Sequence, residues 1–127
     1  MSDHYDAVQQ AVAGALGLGE DEVTPDSTLM DDLGAESIDL LDILFRVERS
    51  TGVKISASEL GDEMQGGIPD EEFGTAEGNV SRKGLEHLQT VMPQMNPDEW
   101  GDKLKAEEVI SHFTVTNLAD MVGRRAA

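Results

Sequence analysis

Ser37 is the residue in this chain best placed to do chemistry, because of the run that holds it: Asp31-Asp32-Leu33-Gly34-Ala35-Glu36-Ser37-Ile38-Asp39. An acidic turn ends there and an apolar, acid-flanked helical pattern begins. A serine at a helix start is ordinarily a cap. Work as a nucleophile would need a base within hydrogen-bond reach and an oxyanion site. His4, His87 and His112 are distant in sequence and none belongs to a hydrolase motif. The flanking acids would also repel an anionic substrate. The pattern suits a hydroxyl that is modified, since backbone N–H groups and the helix dipole favour a phosphodiester at that end.

The 127 residues include no cysteine, so disulfides, thiolate metal sites and thiol chemistry from the protein itself are excluded. A thioester handled by such a chain would take its sulfur from an attached cofactor, and a modified serine supplies the attachment. Nine Lys and Arg against 26 Asp and Glu leave a net charge of -17. That balance disfavours nucleic acid and anionic headgroups and favours partners with basic patches. Five aromatic residues leave little for base stacking. No stretch approaches the ~20 apolar residues of a membrane span, and no basic start precedes an apolar run. A cytoplasmic monomer is the expectation.

The elements that must position Ser37 are helical. Tyr5, Val8, Val12 and Leu16 mark a first helix from about Asp3, a candidate cap, to Leu16, with Gly17 and Gly19 ending it. A loop with Pro25 follows, anchored by Val23 and Leu29, and Gly34 turns the chain into a second helix from Ser37 to about Ser50. Thr51-Gly52 stops it. From Ala57 to about Ala106, Gly61, Gly66, Gly67, Gly74 and Gly78, with Pro69 and many acids, read as a mobile connection. Two short helices interrupt it, one capped by Ser81 with Leu85, Leu88, Val91 and Met92, the other opening Asn96-Pro97-Asp98-Glu99. A helical turn is expected over Glu107 to Ser111. Thr114 caps a last helix carrying Val115, Leu118, Ala119 and Val122, with Arg124 and Arg125 at its C-terminal end. The fold class is all-α: a small bundle of three to four main helices in one domain, 1–127, with a partly helical insertion at 57–106.

On a helical wheel Leu40, Ile43, Leu44 and Val47 form a core stripe, continued by Thr51. Ile38, Leu41 and Phe45 form a second stripe roughly 130° away. Either the helix is buried on two faces, or the second stripe is an exposed docking strip rimmed by Asp39, Asp42 and Glu48 for a basic partner.

The run TPDSTLMDDLGAESIDLLDILFRVERSTGVKI resembles the acyl carrier proteins, strongly from about Val23 to Ile55 and again at Phe113-Thr114-Val115-Thr116-Asn117-Leu118. The resemblance implies a non-enzymatic carrier. Ser37 would bear 4′-phosphopantetheine, donated from coenzyme A, and would present acyl chains as thioesters for fatty acid, lipid A or polyketide-type synthesis. It implies that Ile38, Asp39, Asp42 and Phe45 contact visiting synthases and acyltransferases. Glu36 would sit near the magnesium of the phosphopantetheinyl transferase during loading. Leu44, Val47, Ile55 and Leu118 would line the core that shelters an acyl chain, though plain core describes each of them equally.

Ser37 is preceded by Glu and followed by Ile where the family commonly has Asp and Leu; both changes keep the chemistry. Arg46 and Arg49 fall where generic carriers are neutral or acidic, which favours a dedicated set of partner enzymes. The spelling L-D-I-x-F, G-V-K-I and F-T-V-T-N-L is similar to specialised carriers serving very-long-chain hydroxy-acid synthesis in lipid A assembly, to which the insertion is foreign. The insertion fits a lid over a long acyl chain, a partner-specific surface or a poorly ordered segment. Composition favours the last, while Leu85, Leu88, Met92 and Met95 favour some packing. Peptidyl carriers share the pattern, but the charge argues for acyl cargo. An acidic adaptor or calcium-binding protein is the other class. No loop with alternating acids, a central glycine and a twelfth-position glutamate supports it, and no metal ligands are expected.

Overall fold

Apolar residues at helical spacing, punctuated by left-handed glycines, set the architecture of the computed structural model. It describes residues 4–101 and 103–126, apart from the side chains of Ser37, Ala57 and Glu107. Seven α-helices run through these residues: α1 (Tyr5–Leu16), α2 (Ser37–Thr51), α3 (Ala57–Gln65), α4 (Asp70–Phe73), α5 (Arg82–Val91), α6 (Pro97–Trp100) and α7 (Val115–Ala126). Short 3₁₀ turns lie at Glu20–Glu22 and Ala106–His112, and the only β pairing among the described residues is three isolated bridges. The chain is all-α. The proposed cap at Asp3 lies outside the described residues. The contacts divide the chain into two compact units, one made by residues up to 57 and from 111 onward, the other by 58–110.

In the first unit α1 packs on α2 and α7. Gly17 ends α1 at φ +69° and Gly52 ends α2 at φ +76°, a conformation that costs a side-chain-bearing residue but not glycine. Val8, Val12, Ile43, Val47, Phe113, Val115, Leu118 and Met121 are buried. The loop before α2 is tied to the start of α7. Leu29 N–H donates to the Phe113 carbonyl at 3.0 Å, Val115 N–H to Ser27 at 3.0 Å, and the Thr116 hydroxyl to Pro25 at 2.8 Å. Thr114 caps α7 as its sequence position implies. Its hydroxyl accepts from Asn117 N–H at 3.1 Å, and the Asn117 side chain accepts from Thr114 N–H at 3.0 Å.

Tyr5 supplies a titration test of this packing. Burial raises its phenol above the ordinary 10.0, and the Asp6 and Asp26 carboxylates push the same way. The folded state therefore holds this proton more tightly than the unfolded state does. The stabilisation is complete below pH 10.0 and is lost as pH climbs through the folded value. The unfolding midpoint should fall along that alkaline limb, and Tyr5→Phe should flatten the fall in a pH series of urea melts.

The second unit corrects the expectation of a mobile connection. Leu60, Met64, Val80, Leu85, Leu88, Met92, Met95 and Leu104 are buried in it. The Ser81 hydroxyl caps α5 by accepting from Gly84 N–H at 3.1 Å and donates to the Glu72 carbonyl at 2.6 Å. Asn96 caps α6 by accepting from Asp98 N–H at 2.9 Å. Val80 N–H reaches the Leu104 carbonyl at 2.7 Å. Gly66, one of the glycines that read as looseness, permits close approach instead, as does Gly84. At Gly66 (φ +66°) a Cβ would meet the His87 ring at 2.3 Å, and at Gly84 it would meet the Phe73 carbonyl oxygen at 2.9 Å. His87 Nε2 lies 2.8 Å from the Glu63 carbonyl, joining α5 to α3.

Candidate functional site

The turn that delivers Ser37 is braced on both sides. Thr28 and Asp32 bond reciprocally: Thr28 N–H donates to the Asp32 carboxylate and Asp32 N–H to the Thr28 hydroxyl, each at 2.9 Å. Gly34 adopts φ +75°, and Ala35 N–H returns to the Leu29 carbonyl at 2.9 Å. Glu36 is extended and exposed, and Ser37 is the first residue of α2. The Asp39 carboxylate accepts from Glu36 N–H at 2.9 Å, fixing the entry into the helix. The chain thus presents residue 37 at the positive end of a helix of fifteen residues.

The structure leaves the second stripe uncovered. Ile38, Leu41 and Phe45 are 71%, 55% and 56% exposed, while Leu40, Ile43, Leu44 and Val47 are buried. One face of α2 is core and the other is an apolar strip open to solvent. Glu36 is exposed beside it, and Asp39 and Asp42 are half-buried. Asp42 pairs with Arg46 at 3.1 Å, and the Arg49 guanidinium lies 5.8 Å from the centre of the Phe45 ring. Leu44, Val47, Ile55 and Leu118 are all buried in side-chain packing.

Leu41 is exposed with Ile38 and Phe45, as its place on the second stripe allows. One feature of the strip escaped the sequence reading. Two rim acids are already engaged within the helix, Asp39 by the Glu36 amide and Asp42 by Arg46. The three- and four-residue spacings carry that information. Arg46 also lies over Gly14, where a Cβ would come 2.7 Å from its guanidinium nitrogen. Among the described residues no cluster of three or more His, Asp or Glu could hold a metal ion, and no helix is long and apolar enough to cross a membrane.

A small helical unit with a braced acidic turn, a serine at a helix start and an exposed apolar strip defines a carrier type of protein. The family model for the phosphopantetheine attachment site matches residues 6–65. The chain is 36% identical over 74 residues to acyl carrier protein AcpXL of Brucella melitensis, covering 58% of this chain and 80% of that protein. It is 40% identical over 55 residues to the acyl carrier protein of Treponema denticola (43% and 70% of the two chains). It is 34% identical over 67 residues to AcpXL of Mesorhizobium japonicum (53% and 72%). No solved structure matches. The chain belongs to the acyl carrier protein family. It is a non-enzymatic carrier whose cofactor is covalently attached 4′-phosphopantetheine, and it works with transferases and acyl-processing enzymes.

Proposed function

We propose that Ser37 carries the phosphopantetheine arm and that the Ile38-Leu41-Phe45 strip receives the enzymes that load and visit it. The observation that carries this reading is the placement of residue 37. It lies within the matched stretch 6–65, at the N-terminus of α2, between exposed Glu36 and exposed Ile38. The other serines of that stretch fit a phosphodiester poorly. Ser27 is buried and bonded to Thr24 at 2.7 Å. Ser50 lies in the last turn of α2, where the dipole disfavours an anion. Ser56 and Ser58 are already engaged in other interactions. When bound, the arm supplies the thiol that this cysteine-free chain lacks. Incubation with a promiscuous phosphopantetheinyl transferase and coenzyme A tests the reading. One added phosphopantetheine on the peptide containing Ser37 supports it; an unchanged mass, or an arm on another serine, overturns it.

In this reading Glu36 lies nearest the transferase's magnesium, and Asp39 and Asp42 orient basic docking patches. Leu44, Val47, Ile55 and Leu118 form the wall that an acyl chain would part. Residues 57–106 are an insertion into one carrier domain, 1–127, that works as a cytoplasmic monomer. The AcpXL relatives, 36% and 34% identical to this chain, support the specialised very-long-chain cargo. Ile38→Glu should leave stability within about 0.5 kcal/mol, as befits an exposed position. It should slow loading or acyl transfer roughly tenfold or more, as expected when an apolar docking anchor is replaced by a charge. Urea melts and transfer kinetics read the two effects separately.

A further inference from the structure

A cleft between α1 and α2 carries the opposite polarity to the rest of this acidic chain. It is open, has a volume of about 330 Å³ and lies wholly within the first unit. Ala7, Ala11 and the exposed Gln10 line it from α1; Arg46, Arg49 and Ser50 line it from α2. Although the chain has 26 Asp and Glu, no carboxylate is among the described lining residues. Gly14 leaves room for the Arg46 guanidinium to lie across α1, where it also holds Asp42 at 3.1 Å. Arg49 has no carboxylate partner among the described residues, and its guanidinium sits 5.8 Å from the centre of the Phe45 ring.

We propose that this cleft receives an Asp or Glu side chain of the acyl-processing enzyme that docks on α2. This rests on the reading of the Ile38-Leu41-Phe45 strip as a docking surface and extends it to the C-terminal half of the helix. Two observations single out that occupant. The first is charge: two guanidinium groups, with the Gln10 amide and the Ser50 hydroxyl beside them, complement a carboxylate and oppose a basic group. The second is continuity. Phe45 belongs to the exposed strip and lies against Arg49, so a partner covering the strip meets the cleft at its edge. The surface of α2 then has two unlike ends. Glu36, Asp39 and Asp42 lie toward Ser37, whereas Arg49 is twelve residues further on, about 18 Å along the helix axis. An enzyme with basic groups at one end of its docking face and an acid at the other seats in one direction only.

The test uses the full-length protein, loaded with a hexadecanoyl arm and checked by intact mass. The enzyme is purified from the cells that make this chain, by its acyl transfer from the loaded wild type. At low ionic strength Arg49→Glu should slow transfer roughly tenfold or more, because like charges set face to face are strongly disfavoured. Added salt should narrow that gap. Arg49→Lys should keep most of the rate. Gln10→Glu, on the opposite wall and outside α2, should slow transfer as well, and Gln10→Lys should quicken it. Both positions are exposed, and urea melts check that each variant is folded. Unchanged or faster transfer with Arg49→Glu would mean that the partner is neutral or basic at this point and would overturn the proposal. Slowing by Gln10→Lys would overturn it too. Co-sedimentation with phosphatidylglycerol vesicles that is lost in Arg49→Glu would assign the arginines to a lipid surface instead. Ile38→Glu is measured alongside. If it slows transfer and Arg49→Glu does not, this proposal alone fails; if it has no effect, the reading of the strip fails, and this one with it.

Discussion

Ser37→Ala should abolish loading completely while leaving the fold as it is. Alanine is well tolerated in a helix, and several described groups hold the start of α2. The Asp39 carboxylate keeps the Glu36 amide at 2.9 Å, Leu40 N–H donates to the Glu36 carbonyl at 3.0 Å, and Leu40, Ile43, Leu44 and Val47 seat the helix. The urea midpoint should therefore correspond to a change within about 0.5 kcal/mol, while intact mass after incubation with transferase and coenzyme A shows no adduct. Ser50→Ala is the matched control, because it removes a hydroxyl from the other end of the same helix, and it should load fully.

The largest loss of stability should come from Phe113→Ala. The side chain is fully buried, and removing a buried phenyl ring costs about 3–5 kcal/mol. A small domain has only about 5–15 kcal/mol in total. The position matters beyond its volume. The Phe113 carbonyl receives the Leu29 amide, and the Leu29 carbonyl receives the amide of Ala35, two residues before the serine. The substitution should lower the urea midpoint sharply and slow loading of the molecules that remain folded, since the brace behind the Asp-Leu-Gly turn is loosened. A midpoint within about 1 kcal/mol of wild type would mean that the cavity collapses freely around the missing ring.

The carrier unit was legible because its signals are local. The i, i+3 and i+4 apolar spacing of α1 and α2, the glycines at 17, 34 and 52, and the cap at Thr114 each act within a few residues, and each appears where the spacing implies. The wheel showed a core stripe and a second stripe on α2 but not whether the second was covered, because exposure depends on what packs against a helix. Only the structure leaves Ile38, Leu41 and Phe45 open. The insertion was misread for the same reason. Gly66 reads in sequence as part of a loose linker, and its role depends on His87, a partner 21 residues away in the chain. The Ser81 and Asn96 caps were visible, being local; the burial of Leu60, Val80 and Leu104 was not.

The internal engagement of Asp39 and Asp42 separates how partners arrive from how they stay. A net charge of -17 gives a long-ranged field that draws basic enzymes in, and dissolved electrolyte screens that field within about 10 Å at 0.1 M. Once seated, a partner meets carboxylates already committed to a backbone amide and to Arg46, beside uncharged Ile38, Leu41 and Phe45. Rising ionic strength should therefore slow encounter much more than it shortens residence.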